Sequence, residues 1–203
     1  MSLRRWSGAG MLLLALAGCA SPQARFYSLE SASAASGEPA QFGKRVMLGP
    51  VSLPAALDRP QLVLDDGGGR LRLQEFDRWS APLDRLLAQS LTLAVSRRSG
   101  VASVYAYPQP TMDGGDLRYA LDVRRLSLQP GRQAALEVVW QLQGVSDGKL
   151  LAAGSFSRSI PLAAPGVDAA LAGLQSLLDA LSGEMAQPLR QHPEWWQPPA
   201  GRS

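Results

Sequence analysis

One histidine and one cysteine in 203 residues leave little from which to assemble nucleophilic or metal chemistry. The histidine, His192, lies in a Pro/Trp-rich tail, so a Ser-His-Asp or Cys-His arrangement would have to draw its base from that terminus. A zinc site with several His/Cys ligands cannot be built. No catalytic set and no metal set is therefore expected. No Gly-x-x-x-x-Gly-Lys-Ser/Thr segment occurs, which excludes a P-loop for ATP. Charge is sparse as well, with 18% charged residues and a formal net charge of +3. Two of the 20 cations, Arg4 and Arg5, fall in a leader argued below to be removed, and the remaining 18 nearly balance 17 acids. That balance leaves no electrostatic footprint for nucleic acid. The longest apolar run is far short of the roughly 20 residues that span a bilayer as a permanent helix. No internal repeat is evident.

What is present begins with "MSLRRWSGAGMLLLALAGCA". Two arginines, a short apolar core and small residues make a secretion leader. Leu16-Ala17-Gly18-Cys19 has the order of a bacterial lipobox, in which the thiol is acylated and the chain is cut before it. Acyl chains on Cys19 would be the anchor, each buried methylene contributing about 0.8 kcal/mol. Ala20 after the anchor, where an acid tends to mean inner-membrane retention in lipoproteins of this kind, points by analogy to the outer membrane. The expected organisation is a signal peptide over 1–18, a lipidated N-terminus with a short strand and loop over 19–42, a domain over 43–190, and an irregular tail over 191–203.

Within that frame "RFYSL" reads as a brief strand and 32–42 as a loop, while "KRVMLGPVSLP" reads as a strand ended at Pro54. "QLVLDDGGGRLRLQEF" reads as a β-hairpin turning on glycines that tolerate positive φ. Leu83, Leu86, Leu87, Leu91, Ala94 and Val95 recur at helical spacing, with Ser80 as the expected cap, Pro82 in the first turn and Gly100 as terminator. "VASVYAYP" reads as a further strand. Tyr119, Leu121 and Val123 share one parity, whereas Leu126 and Leu128 have the other, which predicts a bulge near Arg124-Arg125. Leu136, Val138, Trp140 and Leu142 alternate with polar residues in the next strand, and "LLAAGSFSRSIPL" completes a three-stranded meander. A second helix follows Gly166, its stripe running through Ala170, Leu174, Leu177, Leu178, Leu181 and Met185. The fold class that results is α+β, an antiparallel β-sheet with two amphipathic helices packed on one face.

The densest local chemistry is "EFDRWSAPLDRLL" at 75–87. Glu75 and Asp77 would share a strand face with Arg72 and Arg78 at hand, and a carboxylate beside arginine is held ionised rather than raised toward acid catalysis. The stretch reads as a joint in which Phe76 and Trp79 plug the end of the sheet, with an exposed Trp79 gripping a partner as the functional alternative.

The blocks "DRPQLV" at 58–63 and "EFDRWSAPL" at 75–83, following the lipobox at their usual spacing, resemble the PqiC/YmbA family of ABC-type transport auxiliary lipoproteins. The resemblance implies an accessory subunit rather than an enzyme. It implies a homo-oligomeric ring at the periplasmic face of the outer membrane, docking an MCE-domain protein of PqiB type and its inner-membrane components for intermembrane lipid transport and envelope integrity. Arg59, Gln61 and Trp79 are the candidate contacts to a partner or neighbouring subunit. No cofactor is implied beyond the lipid on Cys19, and no nucleic acid. The alternative is a chaperone-like lipoprotein that itself encloses an acyl chain. Trp195 and Trp196 would either sit at lipid headgroups or pack on the sheet.

Overall fold

The computed structural model describes residues 23–29, 43–109 and 115–197. The leader, Cys19 and the 32–42 loop lie outside the described residues. The chain forms β1 (Arg25–Tyr27), β2 (Val46–Ser52), β3 (Gln61–Gly67), β4 (Arg70–Trp79), α1 (Leu83–Ser99), β5 (Val104–Ala106), β6 (Leu117–Gln129), β7 (Gln133–Gly144), β8 (Leu150–Pro161) and α2 (Val167–Gln191), followed by a single 3-10 turn at Pro193–Trp195. The strands make two sheets, β1-β4-β3 and β5-β2-β6-β7-β8.

The α+β class holds, and the sheets are mixed rather than wholly antiparallel. β2 lies parallel to both β5 and β6, and β1 lies parallel to β4. Parallel neighbours need a crossover, and α1 supplies it, packing on β2 and β5 as the chain returns. The meander β6-β7-β8 is antiparallel throughout. Its register slips between Val123 and Arg125, so that Leu126 and Leu128 face Leu136 and Ala134 and rejoin the inward set. The predicted bulge is therefore the device that keeps a 13-residue strand apolar on one side.

Both helical stripes are buried as their spacing demands. α1 and α2 pack against each other, with Arg98 Nη2 donating to Asp179 Oδ2 at 2.6 Å, and α2 lies across β6, β7 and β8. Tyr119, wholly buried under α2, donates its hydroxyl to the Met185 carbonyl at 2.5 Å, and burial pushes its pKa up. Gly173 allows the close approach of α2, since a Cβ there would meet Leu162 Cδ2 at 2.5 Å. One continuous apolar cluster runs from Leu29 and β2 to Trp196.

Three local expectations are corrected. Ser80 does not cap α1: Pro82 is the N-cap residue, without a side-chain cap bond, and its carbonyl accepts from Arg85 and Leu86. The tail, described as far as Gln197, packs on the domain through its tryptophans. Trp196 is 4% exposed, donates Nε1 to the Leu189 carbonyl at 2.8 Å and accepts from Lys44 N at 2.7 Å, so it locks α2 to the start of β2 instead of reaching a headgroup layer. Trp195, half-buried, stacks on His192. Phe76 is exposed and plugs nothing, for a reason given by register. Gln61 pairs with Arg78 but Val63 pairs with Leu73, so β4 spends three extra residues between those rungs and 74–77 bulges out of the ladder.

Candidate functional site: an arginine–tryptophan recess

The "DRPQLV" and "EFDRWSAPL" blocks meet where β3 begins and β4 ends. Trp79 N donates to the Pro60 carbonyl at 2.8 Å, and Leu57 N and Arg59 N close the preceding turn on the carbonyls of Pro54 and Leu57. Prolines at 54, 60 and 82 hold these loops in extended and turn geometries from which neither strand nor helix can continue. The result is a recess of about 290 Å³ lined by Asp58, Arg59, Pro60, Trp79, Ala81 and Pro82. A second hollow of about 350 Å³, bounded by Leu53, Asp84 and Arg85, shares Asp58 and Pro82 with it.

Arg59 and Trp79 thus line one cavity, while Gln61 is half-buried on the ladder beside it, opposite Arg78. Trp79 is 5% exposed, so it forms the recess floor, in keeping with its reading as a plug and unlike the exposed alternative. Arg59 is half-buried, and its Nε is shielded from water with no hydrogen-bond partner among the described residues. A shielded donor left unmade costs about 1–3 kcal/mol, which is tolerated where an outside acceptor completes it.

Of the two acids in the "EFDRWSAPL" stretch, Asp77 has a structural partner, though not the expected one. Asp77, 4% exposed, takes both Arg25 Nε at 2.6 Å and Arg25 Nη2 at 2.9 Å, which ties β1 to β4 and raises the Arg25 pKa. Arg72 pairs with Asp66, and Arg78 Nε donates to the Glu75 carbonyl. Burial, reinforced by Asp77, also raises the Tyr27 pKa. On the far side of β3, Asp65 accepts from Ser127 Oγ at 2.6 Å, Gln129 Nε2 at 3.0 Å and Gly67 N at 2.7 Å, and these bonds, Ser127 first, hold its carboxyl below the usual carboxylate range. Sequence reading missed both clamps, because Arg25 and Asp77 stand 52 residues apart and Asp65 and Ser127 stand 62 apart. Among the described residues no three His, Cys, Asp or Glu side chains gather as a metal site would need. No described helix is long and apolar enough to cross a membrane.

No curated protein matches the chain. Among solved structures, protein XCC0632 from Xanthomonas campestris is similar at 19% identity and TM-score 0.65, covering 84% of this chain and 97% of its own. A second, the crystal structure of an uncharacterized protein, aligns at 17% identity and TM-score 0.64 over 83% of this chain and 99% of its own. These likenesses concern the fold. The profile of a family described as "ABC-type transport auxiliary lipoprotein component" matches residues 27–186, from β1 through most of α2 and across both blocks that build the recess, and the chain belongs to that family.

Proposed function

We propose that this chain is a non-catalytic, lipid-anchored accessory subunit of an MCE-type intermembrane lipid transport system. Acylated Cys19 holds it at the periplasmic face of the outer membrane, several copies assemble as a ring, and the ring docks an MCE-domain protein of PqiB type. The observation that carries this reading is the recess: a shielded Arg59 donor without a partner, set over an indole floor between prolines. Arginine and tryptophan in a partly desolvated pocket are the usual anchors of a protein contact. Arg59 would give its Nε to an acceptor on the incoming chain, with Trp79 and the prolines supplying rigid apolar walls. Family membership supports an auxiliary transport role and a lipoprotein of the bacterial envelope. The core between helices and sheet is filled by side chains such as Tyr119, Leu48, Leu136 and Leu174, all nearly inaccessible, which favours docking over an enclosed acyl chain.

The test is purification of the acylated protein from membranes, with mass spectrometry of accompanying proteins and lipids, for the wild type and Arg59→Ala. An MCE-domain companion retained by the wild type and lost from the variant is the expected result. Stoichiometric lipid without protein, or unaided turnover of a substrate, would overturn the reading.

A further inference from the structure

Phe26 is 66% exposed and Phe76 is 47% exposed, a heavy exposure of aromatic surface for two residues in paired strands. Phe26 is the register partner of Arg78, and Phe76, by alternation along β4, falls on the same face two residues earlier. The opposite face of the pair carries Tyr27 and buried Trp79, which join the core. The two rings therefore lie on the same outer face of the small sheet, a face that Arg78 shares.

Their position along the chain says what covers them. Gln23, the first described residue, follows Cys19 by four positions, and Phe26 follows it by seven. At most about 3.6 Å per residue, Phe26 cannot lie farther than about 25 Å from the anchor. The bidentate Arg25–Asp77 pair fixes the end of that tether to β4, so the aromatic face travels with the anchor. An acylated cysteine sits at the bilayer surface, and a tether this short holds the face at high effective concentration beside the headgroups. Apolar rings with a flanking cation suit the boundary between acyl chains and anionic headgroups.

We infer that Phe26 and Phe76 form a membrane seat: a second, non-covalent contact that inserts into the bilayer interface and fixes the domain's orientation on the membrane. The inference rests on the lipid anchor proposed above. Its occupant is a lipid surface, not a protein.

The chain's single cysteine is consumed by acylation, so Phe26→Cys and Phe76→Cys each give one free thiol for an environment-sensitive fluorophore. Leu93→Cys on α1 and Leu150→Cys at the start of β8, both at exposed positions, serve as references. The acylated full chains are reconstituted into phosphatidylethanolamine/phosphatidylglycerol vesicles containing nitroxide-labelled acyl chains. Quenching several-fold stronger at positions 26 and 76 than at 93 and 150, with shielding from aqueous iodide, is the expected result. Equal quenching at all four positions in protein whose acylation is verified by mass overturns the seat and leaves the anchor standing. Iodide shielding without lipid quenching means that protein covers the rings and likewise overturns it. Absence of acyl chains on Cys19 overturns the anchor and the seat together.

Discussion

Arg59 is held in its turn by its own backbone, while its shielded side-chain Nε has no hydrogen-bond partner among the described residues. Its N–H closes a turn on Leu57, and the next carbonyl, that of Pro60, receives Trp79 N. Arg59→Ala should therefore leave folding stability within about 1 kcal/mol of wild type in urea unfolding, because the lost donor had no partner to strand. The same variant should lose its MCE-domain companion. Trp79→Ala, which removes the 5%-exposed floor, should cost about 3–5 kcal/mol in the same measurement. A stability loss for Arg59→Ala as large as that for Trp79→Ala would make Arg59 a structural residue and remove it from the recess argument. Arg59 and Trp79 were named together as candidate contacts through the resemblance of their two blocks to the family, and the cavity they share was not part of that reading. The sequence left Trp79 between plug and exposed grip, since which face of a strand end is covered depends on what packs there from elsewhere in the chain.

At the scale of elements, β1 is a short segment held by few bonds. Three residues in parallel pairing offer a short ladder, and the Arg25–Asp77 fork and the packing of Tyr27 on the core add to it. Arg25→Ala leaves the buried Asp77 carboxylate without its cation, so β1 should peel from β4. Hydrogen exchange at 25–27 should accelerate sharply while the β6-β7-β8 meander keeps its protection; unchanged exchange at β1 would mean that the ladder and the Tyr27 packing suffice to hold it. The helices, the meander and the bulge at Arg124 were all readable, since each is a local pattern of parity or 3.6-residue spacing. β2 was readable as a strand but not as the parallel partner of β5 and β6, because pairing across a crossover leaves no mark on periodicity. The wide bulge in β4 was equally hidden: only the register with β3 reveals the three additional residues.

On the scale of the whole molecule the two sheets behave as one body because Asp65 bridges them, standing on β3 while Ser127 and Gln129 reach it from β6. Both donors are buried, at 5% and 7% exposure, so they depend on this acceptor. The carboxyl's folded pKa lies below its ordinary value near 3.9, and the stability it contributes is therefore fully present above that value and lost as pH falls through the folded pKa. Asp65→Asn removes the charge but keeps the shape, and should be less stable than wild type by about 1–3 kcal/mol in urea unfolding at pH 6. Repeating the measurement at successively lower pH below about 3.9 should narrow the gap, because the unfolded chain takes up the proton first and the folded carboxyl follows at its lowered pKa, whereas the asparagine has nothing to titrate. Loss of the clamp should also show as separate transitions for probes on β4 and β7, since the small sheet would no longer be obliged to unfold with the large one. A gap independent of pH would show that the charge on Asp65 does not stabilise the fold. Coincident transitions in the variant would show that the shared apolar cluster from Leu62 and Leu64 to Leu128 couples the sheets without it.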